Sequence, residues 1–133
     1  MAALVWFRHD LRLQDNPAVA QACAAHDRVY ALYLFPQETF IEAHHWSPHK
    51  TDLLWRHLQQ FQQHLAANGI LLKVKCHDRF SQSGSIISEF CTEHEINEVY
   101  FNAEYPVHEA RRDQEVKVAL QQHNIATTVQ HGL

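Results

Sequence analysis

The sequence predicts an α/β fold: one doubly wound, five-stranded parallel sheet in the order 3-2-1-4-5, with helices on both faces and a Rossmann-like course. Three observations carry this. Short apolar, β-rich runs recur along the chain, and a helical stretch with its own start and stop signals lies between successive runs. A length of 133 residues with 46% hydrophobic content suits a single domain with one core. Right-handed crossovers with the first strand central then give the doubly wound order.

The first strand, β1, is read at Leu4–Phe7, where Leu-Val-Trp-Phe has the character of a central strand. Asn16 followed by Pro17 is an N-cap and first-turn pair, which opens helix α1 over about Pro17–His26. Strand β2 follows at Val29–Phe35. Helix α2 runs from Pro48 to about Asn68, capped by Ser47 and stopped by Gly69. Its Leu54, Leu58, Phe61 and Leu65 are spaced four, three and four apart, which makes one apolar stripe for the sheet. Strand β3 is read at Ile70–Val74, and helix α3 at about Gln82–His94 with Ile86, Ile87, Phe90 and Cys91 inward. Strand β4 (Val99–Phe101), helix α4 (about Val107–His123, with Val116, Ala119 and Leu120 as its inner face) and strand β5 (Thr127–Val129) complete the order. The chain contains no internal repeat, low-complexity tract or linker.

The winding direction reverses between β1 and β4, so a ligand belongs outside the carboxyl ends of those strands. Three segments converge there: Arg8–Asp15, Pro36–Ser47 and Asn102–Glu109. The first contains no glycine, so it is neither a GxGxxG turn nor a P-loop. A nucleotide-type fold without a phosphate cradle is the result. The net charge of -4, from 11 basic and 15 acidic residues, supplies no long-range pull toward nucleic acid, so the chain alone is not expected to bind DNA. Cys23, Cys76 and Cys91 are odd in number and set in apolar patterns, which predicts reduced, packed thiols in a cytoplasmic protein and no disulfide. The amino terminus reads as a strand and not as a signal peptide, and no apolar run approaches the roughly 20 residues that span a bilayer.

Glu109 stands in the first turn of α4, where a carboxylate suits the helix dipole and repels a phosphate seeking the same amides. It serves there either as a favourable first-turn charge alone or as an acceptor for the paired N–H groups of a neutral heterocycle such as a pterin or guanine. His44, His45 and His49 cluster around Trp46 among twelve histidines. The helix boundary at Ser47 and Pro48 keeps His45 and His49 off a shared helical face, and no Cys or carboxylate accompanies them at ligand spacing, so no metal site is expected. They read as solvated loop histidines, with His44 or Trp46 also suited to stacking on a flat ring. Arg8, Asp10, Arg12 and Asp15 alternate in sign and predict a local ion-pair network that holds the β1–α1 turn. No serine lies in a GxSxG setting and no thiol protease pattern is present, so no catalytic residue is assigned; Ser81, Ser83 and Ser85 read as helix-entry residues.

Together these residues match a known pattern. The run VWFRHDLRLQDNP (Val5–Pro17), the SP pair at Ser47 and Pro48, FNAEY (Phe101–Tyr105) and HEARRDQEV (His108–Val116) resemble the amino-terminal signatures of the DNA photolyase and cryptochrome family. The resemblance covers essentially the whole chain and is strongest to folate-type cyclobutane pyrimidine dimer photolyases. It implies that residues 1–133 are the antenna-binding α/β domain of a light-driven DNA repair flavoprotein, a carbon–carbon lyase whose helical FAD-binding domain is absent here. It also implies methenyltetrahydrofolate as the antenna, FAD in the parent protein alone, and contact with dimer-containing DNA through the helical domain, with no membrane and no bond-breaking chemistry in this piece. The pigment contacts that carry over are His44, His108 and Glu109. His108 stands where the family usually has Asn, which changes the donor and acceptor geometry there. A pigment-less cryptochrome photoreceptor domain, and a stand-alone nucleotide-binding or universal-stress-type domain on the same fold, are the alternatives.

Because further pigment contacts are expected from the helical domain, the pocket in this chain is open on one side. Titrating methenyltetrahydrofolate into the isolated chain is expected to shift its absorption and fluorescence little; tight stoichiometric binding would overturn the half-built pocket.

Overall fold

The middle strand of the sheet is the most apolar, and every residue of β1 (Ala2–Phe7) is buried. In the computed structural model, which describes residues 2–8, 10–36, 47–77, 83–103 and 107–130 and omits the side chains of 36, 77 and 107–112, β1 pairs in parallel with β2 (Arg28–Pro36) and β4 (Ile96–Asn102). Strands β3 (Leu71–His77) and β5 (Ala126–Gln130) form the edges, giving the order β3-β2-β1-β4-β5. Helices α1 (Pro17–Ala25), α2 (Pro48–Ala67), α3 (Ser83–Glu93) and α4 (Val107–Gln122) make the crossovers. The sequence-predicted order is observed.

Alternation along β1 divides the core in two. Ala3, Val5 and Phe7 face a cluster with Ala18, Val19 and Ala22 of α1 and Leu58, Phe61 and Leu65 of α2. Ala2, Leu4 and Trp6 face the opposite cluster, with Ile87, Phe90 and Cys91 of α3 and Val116 and Leu120 of α4. Phe7 meets Phe61 edge-on at 5.0 Å between centroids, and Trp6 meets Phe101 at 5.2 Å. The stripes read from sequence form the buried faces, with Leu54, Ile86 and Ala119 only partly buried.

The helix ends follow the expected chemistry. The Asn16 side chain accepts from the Val19 N–H at 3.3 Å, and the Ser47 hydroxyl from the Lys50 N–H at 3.1 Å. Helices α2 and α4 close in the same way: Ile70 N–H donates to the Leu65 carbonyl and Ile125 N–H to the Leu120 carbonyl, each at 2.9 Å, across a left-handed Gly69 or Asn124. Both are Schellman closures with the apolar pair buried.

Three expectations are corrected. The strands run beyond the apolar runs: the edge strands β3 and β5 continue through polar residues such as Lys75 and Gln130, and the inner β4 begins at Ile96. Cys23 and Cys76 are exposed and only Cys91 is packed, its thiol pushed up to about 12 by burial. The alternating charges after β1 do not pair within their own loop, as described below.

A polar cluster that the sequence reading did not foresee lies near the starts of β2 and β4. The side chain of His26, 5% exposed, places Nε2 3.2 Å from Glu98 Oε1 and 3.2 Å from the Tyr100 hydroxyl, while Thr128 donates to Glu98 Oε2 at 2.7 Å. Burial pushes the Glu98 carboxyl up, but hydrogen bonds from Thr128, His26 and Tyr100 and the charge of His26 outweigh it, so it sits below the ordinary glutamate range.

Two measurements follow from this packing. A Cβ at Gly84 would lie 2.9 Å from the Ala119 Cβ, at the α3–α4 contact. Gly84→Ala gains about 1 kcal/mol of helix propensity and loses about 1–3 kcal/mol to overpacking, so urea unfolding should show a net loss on the order of 1 kcal/mol, recovered when Ala119→Gly is added. Glu98 has a depressed folded pKa, so its contribution is present above the unfolded value and disappears as pH falls through the lower folded one. The stability gap between the wild type and Glu98→Gln should therefore be full near neutrality and close below about pH 4.5; a gap independent of pH would contradict the assignment.

Candidate functional site

The crevice at the carboxyl ends of β1 and β4 is filled by a hydrogen-bonded polar cluster. Arg8 follows Trp6 on the row of β1 that faces α3 and α4, and it is buried at 6% exposure. Its guanidinium carbon lies 4.7 Å from the centre of the Trp6 ring and 5.2 Å from that of Phe101. One terminal nitrogen donates to the Asp113 carboxylate on α4, itself 8% exposed, and the other to the backbone carbonyl of Asn102 at the end of β4. A fork of fixed geometry suits two acceptors on different elements.

Asn102 is the second hub. Its amide nitrogen donates to Asp10 Oδ2 at 2.6 Å and to Asn16 Oδ1 at 2.7 Å, and its side-chain oxygen accepts from the Ala18 N–H at 3.1 Å. Asn16 in turn donates to the carbonyls of Asp10 and Arg12 at 3.1 and 3.0 Å. The other Asp10 oxygen accepts the Arg8 N–H at 2.9 Å. Both amide N–H groups of each asparagine thus have acceptors, and the end of β4 is tied to the N-cap of α1.

This corrects the local network read from sequence. Arg8 reaches across the sheet to α4, Asp10 binds amides, and Arg12 donates to the Asp15 carbonyl at 3.2 Å. Asp113 and Asn102 were missed as members of the cluster, although each carried a signal. Asp113 stands three and seven residues before Val116 and Leu120, on the buried stripe of α4, and Asn102 directly follows the apolar run of β4.

The cluster thus forms the described floor of the sheet end between β1 and β4. His108 and Glu109 are the second and third residues of α4, which places their backbone in its first turn; their side chains lie outside the described residues. His44 lies outside the described residues altogether, as does most of the Pro36–Ser47 connection. Among the described residues there is no group of three His, Cys, Asp or Glu side chains able to hold a metal ion, and no helix long and apolar enough to cross a membrane.

The fold agrees with what known proteins show. The profile of the DNA photolyase family matches residues 3–132. The chain is 40% identical over 118 residues to the deoxyribodipyrimidine photo-lyase of Escherichia coli, covering 88% of this chain and 25% of that protein. A photolyase from Sulfolobus tokodaii, crystallised with two FAD molecules, superimposes with a TM-score of 0.83 at 21% identity, over 98% of this chain and 29% of that one. A cryptochrome from Synechocystis superimposes with a TM-score of 0.83 at 22% identity, over 96% of this chain and 26% of that one. The two structures establish the fold, and the chain spans about a quarter of the length of the curated relatives it matches. With the family profile spanning nearly every residue, the chain belongs to the DNA photolyase family and corresponds to its amino-terminal α/β domain.

Proposed function

We propose that this chain is the antenna-pigment-binding domain of a cytoplasmic deoxyribodipyrimidine photo-lyase, with methenyltetrahydrofolate as pigment and His44, His108 and Glu109 as its contacts. The observation that carries this is the sheet end itself. Its floor is closed by Arg8, Asp10, Asn16 and Asn102, it has no glycine turn after β1, and the backbone of Glu109 stands in the first turn of α4. Such an end offers little to a triphosphate, which needs close backbone approach and free N-terminal amides. It suits a flat head that lies on the rim and presents N–H groups to a carboxylate. In this reading Glu109 accepts from the pigment's donor edge, while His44 and His108 complete the polar contacts.

When bound, the pigment absorbs near-ultraviolet or blue light and passes excitation to reduced FAD in a helical domain, where an electron is lent to the pyrimidine dimer. The role of this chain is to hold the pigment at a fixed distance and orientation. DNA contact belongs to the helical domain, in keeping with a net charge of -4 here.

A chimera in which this chain replaces the matching amino-terminal segment of the Escherichia coli photo-lyase tests the proposal. The FAD-loaded chimera should take up methenyltetrahydrofolate and repair dimers faster under light absorbed by that pigment. Glu109→Gln or His44→Ala should raise the dissociation constant for the pigment about fivefold, a loss of about 1 kcal/mol, with FAD content unchanged. An FAD-loaded chimera that takes up no pigment would refute the reading, as would a rise in melting temperature of the isolated chain with ATP.

A further inference from the structure

Arg8 grips the two ends of one segment of chain. Its guanidinium donates to the carbonyl of Asn102, the last residue of β4, and to the carboxylate of Asp113, in the second turn of α4. Residues 103–112 lie between those two points, and His108 and Glu109 are among them. Glu109 stands one turn before Asp113 in the same helix. The fork itself is held on the other side by Trp6 and Phe101 beneath it, and its backbone N–H by Asp10.

We propose that Arg8 is the positioning residue of the ligand site: by clamping Asn102 and Asp113 together it fixes where the first turn of α4 stands over the end of the sheet, and so sets the geometry of the contacts made from positions 108 and 109. This rests on the pigment-site reading above. Three geometric facts support it. The two acceptors are 94 and 105 residues from Arg8 in sequence, so the clamp is made by tertiary structure and not by a local turn. Arg8 and Asp113 are both buried, so the pair is shielded from the screening that makes surface ion pairs weak. A lysine ammonium is a point charge on a flexible stem and cannot reproduce the planar two-acceptor fork.

The test uses Arg8→Lys and Asp113→Asn, the second keeping shape and an acceptor oxygen where the first fails to fold. Hydrogen exchange is followed at the amides of residues 111–114, whose helical acceptors are the first-turn carbonyls of α4, against those of 117–122 and of β1. The variants should exchange about tenfold faster at 111–114 relative to the other two sets, equivalent to about 1.4 kcal/mol of local opening. In the chimera the same variants should weaken methenyltetrahydrofolate binding about tenfold with FAD content unchanged. Uniform loss of protection across α4 and β1 would make Arg8 merely structural and overturn the proposal, as would unchanged exchange, or locally faster exchange with unaltered pigment affinity. A wild-type chimera that binds no pigment removes the ligand reading, while the exchange pattern still decides whether Arg8 fixes the first turn.

Discussion

A guanidinium buried where β1 meets β4 has to be neutralised and hydrogen-bonded, and that requirement organises this end of the domain. An uncompensated buried charge costs several kcal/mol. For Arg8 that cost is offset where α4 supplies the Asp113 carboxylate and β4 the Asn102 carbonyl. The aromatic faces of Trp6 and Phe101 below it add attraction without competing for its donors. Satisfying one side chain therefore brings β1, β4 and α4 into one arrangement, and Asn102 extends it to α1 through Asn16 and Ala18.

The same cluster decides what the sheet end can receive. In open α/β sheets the reversal point ordinarily leaves a crevice between diverging loops, and glycine lets a phosphate approach the backbone. Here the crevice is filled by side chains with consecutive hydrogen bonds, and the loop that fills it carries no glycine. Arg8, the cation of the cluster, is opposed by Asp113, and Asp10 adds a further acid. In the proposed reading, recognition falls to the rim, where donors and acceptors of a neutral heterocycle match better than phosphate oxygens do.

Much of the architecture was readable because its determinants are local. Apolar runs, the caps at Asn16 and Ser47 and the stop at Gly69 each act within a few residues, and the observed strand order is the one they imply. Edge strands were underestimated because polar residues on β3 and β5 break the apolar run without breaking the ladder. Cys23 and Cys76 looked packed because their neighbours are apolar, yet one falls on the outer side of α1 and the other at the end of an edge strand. The polar cluster was the least readable part, since Arg8 had nearer acids in sequence than the one it binds. Periodicity held the missing clue: Arg8 continues the row of Leu4 and Trp6, and Asp113 the stripe of Val116 and Leu120, so both charges were placed on buried faces.

That clue separates two kinds of charged residue in this chain. Arg12 and Asp15 lie on the exposed turn and make at most one weak contact with each other, through the Asp15 carbonyl. Arg8 and Asp113 lie on buried stripes, where each offsets the charge of the other. The clamp thus belongs to the packing between β1, β4 and α4 as much as to any site. The ligand site proposed on the first turn of α4 would therefore take its position from core packing and not from a glycine-rich loop after β1.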